Sequence, residues 1–273
     1  MTDLLSAVIA LEPLEACTLD PFQGRATHAL FLDLTARHDG ALAVALHDGK
    51  GLKPFTSSNL AGLHLDEGSK AAAAAAGQLL RWRITAFEAG LARLWLDKVL
   101  PTLPSMLTVG DVRFAVRGWT ADAAQDSGAG VSSYAELARR HTLDARPPSP
   151  WINLRFASPT SFRSDGVHVP LPLPKLMLGH WLDKWNAFAP TALPAEAREL
   201  ADTLVAVNRY DLHTEPVLFG KATIIGFVGQ CSLALRSEDP YWRRIPGLLA
   251  AFSFWCGTGH RTPYGLGQTR PGR

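Results

Sequence analysis

Apolar positions change period along the chain, and each change marks an expected element. From Leu4 to Leu14 apolar residues run almost unbroken and include the β-branched Val8 and Ile9, which predicts a buried strand. Gly24 to Arg37 carries Ala29, Leu30, Leu32, Leu34 and Ala36 with periodic polar breaks, the pattern of a helix. Asp39-Gly40 interrupts it, and a short second helix covers Ala41 to Leu46. Leu52 to Ser58 reads as a strand. Gly68-Ser69-Lys70 leads into six alanines, and because Ala favours helix this stretch reads as a short helix or a mobile connection. Between Leu79 and Phe87, Arg81, Arg83 and Thr85 alternate with Trp82 and Ile84, as in a strand. A helix through Leu91, Leu94, Leu96 and Leu100 is stopped by Pro101 and Pro104, and Leu107 to Thr120 reads as a hairpin around Gly110-Asp111.

The stretch 126–150 is polar, Gly/Ser-rich and ends in Pro147-Pro148-Ser149-Pro150, so it reads as a linker with a short helix over Tyr134–Arg140. It separates an N-terminal domain, 1–125, from a C-terminal domain, 151–273. In the second domain Trp151–Ala157 predicts a strand, Lys175–Phe188 and Ala195–Val207 helices, Tyr210–His213 and Val217–Leu235 strands, Tyr241–Trp255 a helix, and Leu266–Arg270 a last strand. Each half therefore runs β-α-β-β-α-β. That order predicts an α+β protein with two tandem ferredoxin-like domains. The repeat is one of element order, since no repeated sequence is visible.

Composition narrows the function classes. The 273 residues are 47% hydrophobic and 19% charged, as expected of a folded chain, and the net charge of +2 is too small for general nucleic-acid adhesion. Any polyanion site must be local. The first basic residue is Arg25, preceded by Asp3, Glu12, Glu15 and Asp20, which is unlike a signal or transit peptide. No apolar run approaches the ~20 residues that span a membrane. Cys17, Cys231 and Cys256 are widely spaced with no C-x-x-C, which argues against a disulfide framework or zinc site and fits the cytoplasm.

The last segment holds the densest signal, Gly257-Thr258-Gly259-His260-Arg261-Thr262-Pro263-Tyr264-Gly265-Leu266-Gly267. After Asp239 no acid follows, whereas Arg243, Arg244, Arg261, Arg270 and Arg273 do. A dinucleotide loop follows an early strand and opens a helix. Here the glycine spacing is wrong, Pro263 interrupts, and six residues follow. Two readings stay open: a loop that grips a polyanion through backbone N–H groups and cations, and a hairpin that merely turns.

Four stretches together resemble the CRISPR-associated endoribonucleases that cut precursor repeat RNA, within the repeat-associated mysterious protein (RAMP) superfamily. They are the glycine loop, Ser158-Pro159-Thr160-Ser161-Phe162-Arg163 with its downstream Leu171-Pro172-Leu173-Pro174 and Trp185-Asn186, Leu46-His47-Asp48 followed by Lys53-Pro54-Phe55-Thr56-Ser57-Ser58, and Gly226-Phe227-Val228-Gly229. The resemblance implies two ferredoxin-like domains and repeat RNA as partner. It also allows subunits of a CRISPR effector complex and a second copy of the chain as partners. It implies no cofactor and no metal. The rival reading is a non-catalytic RNA-binding subunit of an effector complex.

RNA carries its own nucleophile, the 2′-OH, so cleavage needs a base, an acid for the departing 5′ oxygen, and positive charge for the phosphorane. Histidine suits the first two roles. The products would be a 2′,3′-cyclic phosphate and a 5′-OH. His28, on the first helix, and His47, closing the second, are the candidates for the acid–base pair, with either able to take either role, and Lys53 is the candidate charge stabiliser; this assignment is what the resemblance implies. No Tyr precedes Tyr134, which excludes a Tyr-dependent site on the first helix. Gly257, Gly259, His260, Arg261, Gly265, Gly267, Arg163 and Arg270 are candidate RNA contacts. His38, His64, His141, His168, His180 and His213 read as surface or core residues. No H-E-x-x-H, G-x-S-x-G or phosphate-loop motif is present.

Overall fold

The computed structural model of the protein describes residues 2–64, 71–143, 147–164, 166–220 and 222–272. They form two compact units, Met1–Ser132 with Pro263–Gly265, and Ser133–Thr262 with Leu266–Arg273.

In the first unit the chain runs through β1 (Leu4–Pro13), β2 (Cys17–Leu19), α1 (Gly24–Ala36), α2 (Gly40–Asp48), β3 (Phe55–Ala61), β4 (Ala72–Ala74) and β5 (Leu80–Ala86). It continues through α3 (Ala89–Leu94), β6 (Met106–Val109), β7 (Val112–Thr120) and β8 (Gly130–Ser132). The main sheet has the order β3-β5-β1-β7-β6, with β8 also on β1. Every pairing in it is antiparallel. The core is strongly aromatic: Phe31, Phe55, Trp82, Trp95 and Phe114 are fully buried. Local chemistry sets the helix starts. Asp39 accepts from Leu42 N at the head of α2, and the Glu88 carboxylate accepts from Gly90 and Leu91 N at the head of α3.

The second unit contains α4 (Tyr134–Thr142), β9 (Trp151–Thr160), β10 (Phe162–Ser164), β11 (Val167–Val169), α5 (Pro174–Phe188), α6 (Glu196–Glu199) and α7 (Ala201–Leu204). It ends with β12 (Val205–Phe219), β13 (Ala222–Leu235), α8 (Pro240–Cys256) and β14 (Thr269–Pro271). Its sheet order is β12-β13-β9-β14. Counting only the four βαββαβ strands, both units follow the order second-third-first-fourth, which is the ferredoxin-like arrangement used twice.

Three local expectations need correction. The alanine run is a strand: Ala72 and Ala74 are buried, and the segment pairs with β2 through Thr18↔Ala73. A few tenths of a kcal/mol per residue of helix preference cannot nucleate a six-residue helix, and cross-strand pairing decides instead. The preceding Gly68-Ser69-Lys70 lies outside the described residues. The helix expected over Ala195–Val207 is two single turns, and β12 already begins at Val205. The strand expected at Tyr210–His213 and the start of that expected at Val217–Leu235 are one strand, β12, which forms a long hairpin with β13. Within 126–150, β8 pairs with β1, and Ser133 caps α4 by accepting from Glu136 N in an S-x-x-E box. The division between the units falls between them, and 144–146 lie outside the described residues.

Candidate active site

His28 sits one turn into α1 and is only 5% exposed. Its Nδ1 lies 3.2 Å from the carbonyl oxygen of Pro263. A carbonyl only accepts, so Nδ1 carries the hydrogen and Nε2 keeps its lone pair in the neutral ring. The imidazole stacks on Tyr264, with centroids 3.9 Å apart, and on Phe55 at 5.5 Å. Phe55 in turn stacks on Phe31 and Phe31 on Trp95, so the imidazole and Tyr264 extend an aromatic ladder that begins in the core. Burial pushes the His28 pKa down to about 4; the Pro263 hydrogen bond opposes this, and the positive charges of Lys53 and His47 add to it. Phe55, on which His28 stacks, lies two residues past Lys53, and Lys53 Nζ bonds the His47 carbonyl, so the elements that carry all three residues singled out in the sequence meet in the first unit.

His47 is exposed at the C-terminal end of α2. Lys53 closes that end: its Nζ donates to the carbonyls of Leu46, His47 (3.2 Å) and Gly49 (2.6 Å). These are carbonyls that a helix end leaves without partners, and a cation there also suits the helix dipole. Burial lowers the Lys53 pKa, partly offset by Asp48.

A second cluster lies in the other unit. Arg163 on β10 stands opposite His168 on β11. His168 and His260 have ring centroids 5.8 Å apart, and Arg261 Nε donates to His260 Nε2 at 3.1 Å. The Arg261 guanidinium lies 3.8 Å over the Phe219 ring, and Arg261 takes φ 59°, the one positive φ off glycine among the described residues. His260 is held neutral, its pKa pushed down to about 4 by burial first and then by Arg261, His168 and Arg163. Arg270 is in β14, opposite Arg155 of β9.

The glycine loop is less open than its sequence implies. Its N–H groups donate largely to protein: Thr258 to Gly267 O, His260 to Ser161 O and Gly267 to Pro159 O. All four glycines have positive φ, and a Cβ on Gly267 would stand 1.9 Å from Thr258 O. Helix α5 holds the loop from beneath. His180 Nδ1 accepts from Gly259 N, Trp181 Nε1 donates to Thr258 Oγ1, and Lys184 Nζ donates to Cys256 O and Thr262 Oγ1. Lys184 is 3% exposed, and burial lowers its pKa to about 8. Nothing in the sequence singles out Pro263, Tyr264 or Lys184 as site residues, and His168 reads there as an ordinary histidine. No spacing could have found the first two, since 235 residues separate His28 from Pro263. Among the described residues, no three His, Cys, Asp or Glu side chains gather in a way that could hold a metal ion.

Known proteins give a consistent comparison. Residues 4–138 match the family described as CRISPR Cas6 N-terminal domain, and residues 154–269 that described as CRISPR-associated endoribonuclease Cas6. A Cas6 endoribonuclease of Mycobacterium tuberculosis is 27% identical over 128 residues, 46% of this chain and 40% of the relative. The matched part is thus under half the length of that curated relative. The solved Cas6 of Thermus thermophilus is 28% identical over 99% of both chains, with TM-score 0.75. A product complex of the same protein reaches 29% and 0.81, covering 99% of this chain and all of that one. A second Cas6 product complex is 27% identical over the full length of both chains, with TM-score 0.78. With two matched domain descriptions in order and full-length structural likeness, the chain belongs to the CRISPR-associated endoribonuclease Cas6 family.

Proposed function

We propose that this protein cleaves precursor CRISPR RNA within its repeats by attack of the 2′-OH on the adjacent phosphate, leaving 2′,3′-cyclic phosphate and 5′-OH ends. No metal is required by this chemistry. The observation that carries the reading is that, in a Cas6 chain, His28 stacks on Phe55, two residues past Lys53, whose Nζ bonds the His47 carbonyl. His28, neutral and with its Nε2 lone pair available, is the base. His47, exposed at the end of α2, is the acid that protonates the departing 5′ oxygen. Lys53 holds the carbonyls beside His47 and supplies positive charge to the phosphorane. Arg163, His260 and Arg261, with Arg270, hold the RNA backbone. Gly257, Gly259, Gly265 and Gly267 act through the loop shape they permit. That Cas6 relatives have been solved as product complexes supports RNA as the ligand.

The test is single-turnover cleavage of a cognate repeat in EDTA, with end-group analysis. Loss of a positioned acid or base costs about 10²–10⁴-fold, and each of His28→Ala and His47→Ala is expected to fall in that range. Intact RNA at stoichiometric wild-type protein would favour the non-catalytic effector subunit instead. Wild-type rates in both variants would remove the assigned residues from the chemistry.

The pH profile separates base from acid. The acid limb of kcat/KM reports the free enzyme's base. With His28 held near 4, the rate should rise with pH through about 4 and be level by pH 6. An acid limb centred near 6.5 would rule His28 out as the base.

A further inference from the structure

We infer that Pro263–Tyr264, the tip of the glycine loop, is a positioning element for His28, fixing the tautomer and plane of its imidazole. The inference rests on the reading of His28 as the base and goes beyond it by assigning the glycine loop a second task besides holding RNA. Several contacts carry it independently. The Pro263 carbonyl accepts from Nδ1 at 3.2 Å, which leaves Nε2 as the proton acceptor. The Tyr264 ring is stacked on the imidazole at 3.9 Å and 23°. Phe55 also stacks on the imidazole, at 22°, so its plane follows two aromatic neighbours.

The tip is seated on the first unit by backbone as well as by side chains. A Cβ on Gly24 would meet Tyr264 O at 1.9 Å, so α1 must begin with glycine for the tip to approach it. Gly265 bridges to Ser58 in parallel fashion, and a Cβ there would stand 2.9 Å from Asn59 Oδ1. Pro263–Gly265 therefore group with the unit that carries His28, although both neighbouring stretches of the loop belong to the other. His260 and Arg261, proposed to hold RNA, precede the tip directly in the chain. Lys53 and His47 are the charged groups that act on the ring.

The test uses the full chain with Tyr264→Ala, Tyr264→Leu and Tyr264→Phe. Three quantities are read: single-turnover cleavage, affinity for a repeat with a 2′-deoxy group at the cut site, and the NMR titration of the His28 ring, assigned with His28→Ala. A small misplacement of a reacting group costs up to about 10²-fold. Tyr264→Ala is expected to cut the rate about 10- to 100-fold with affinity within about threefold, and Tyr264→Phe, which keeps the stack, to restore it. The His28 titration should move up from about 4 toward the ordinary histidine value in Tyr264→Ala and stay in Tyr264→Phe. If Tyr264→Ala does not fold, Tyr264→Leu, which keeps apolar cover without the stack, gives the same readout. An unchanged rate and titration in a variant whose His28→Ala counterpart is inactive would overturn the inference. So would a rate loss matched by an equal loss of affinity. Full activity in His28→Ala would instead sink the base assignment, and the titration would still report whether Tyr264 fixes the ring.

Discussion

At the residue scale, the same amino acid has opposite consequences in different backbone settings. Gly267 has φ 66° and a Cβ there would collide with Thr258 O at 1.9 Å, whereas Gly247 lies in α8 with open space around the Cβ position. Alanine where φ is positive destabilises by more than about 1 kcal/mol, and alanine for glycine inside a helix gains about 0.5–1 kcal/mol. Urea unfolding should therefore place Gly267→Ala below the wild type and Gly247→Ala above it; equal midpoints for the pair would contradict the backbone argument. The sequence marked the loop glycines as conformationally special, and His28, His47 and Lys53 as chemically apt. It did not mark Tyr264. A tyrosine in a loop carries no sign that it will stack on a histidine near the other end of the chain.

At the element scale, Lys53 matters through the helix end it closes. Lys53→Met removes the donors to Leu46, His47 and Gly49, so the last turn of α2 should fray and His47 lose its fixed place. Amide exchange at Gly49, whose N–H bonds to Ala45 O, should speed up. Repeat cleavage should fall, with Lys53→Arg restoring part of both because a guanidinium also donates. Unchanged exchange and rate in Lys53→Met would reduce Lys53 to an ordinary surface cation. Most elements were legible because their periods are long and clean: α1, α5 and α8 depart from expectation by a residue or two at their ends. The alanine strand and the one-turn helices before β12 were not, because short segments have little intrinsic preference and take the structure their neighbours impose.

At the scale of the whole molecule, the chain holds several histidines that the fold keeps neutral. His28 and His260 are pushed down to about 4, His180 well below its ordinary value and His141 also below, burial being the leading cause for each. Below pH 6.5 the unfolded chain binds protons that the folded chain refuses. The associated stability is complete above the unfolded pKa and declines as pH falls from about 6.5 toward 4. The melting temperature should be level near pH 7 and drop through that window, and a flat profile down to pH 4.5 would contradict the burial of these rings. What the sequence by itself determined is the element order, its double use, the ferredoxin-like class and a short set of candidate residues, His28, His47 and Lys53, for the proposed cleavage. Hydrophobic period and side-chain chemistry are local properties, so they can be read in place. What only tertiary structure decided is which distant groups meet: Pro263 and Tyr264 on His28, Lys184 beneath the glycine loop, Ala73 beside Thr18. Those meetings come from burial and hydrogen bonding summed over residues far apart in the chain, and no single segment records them.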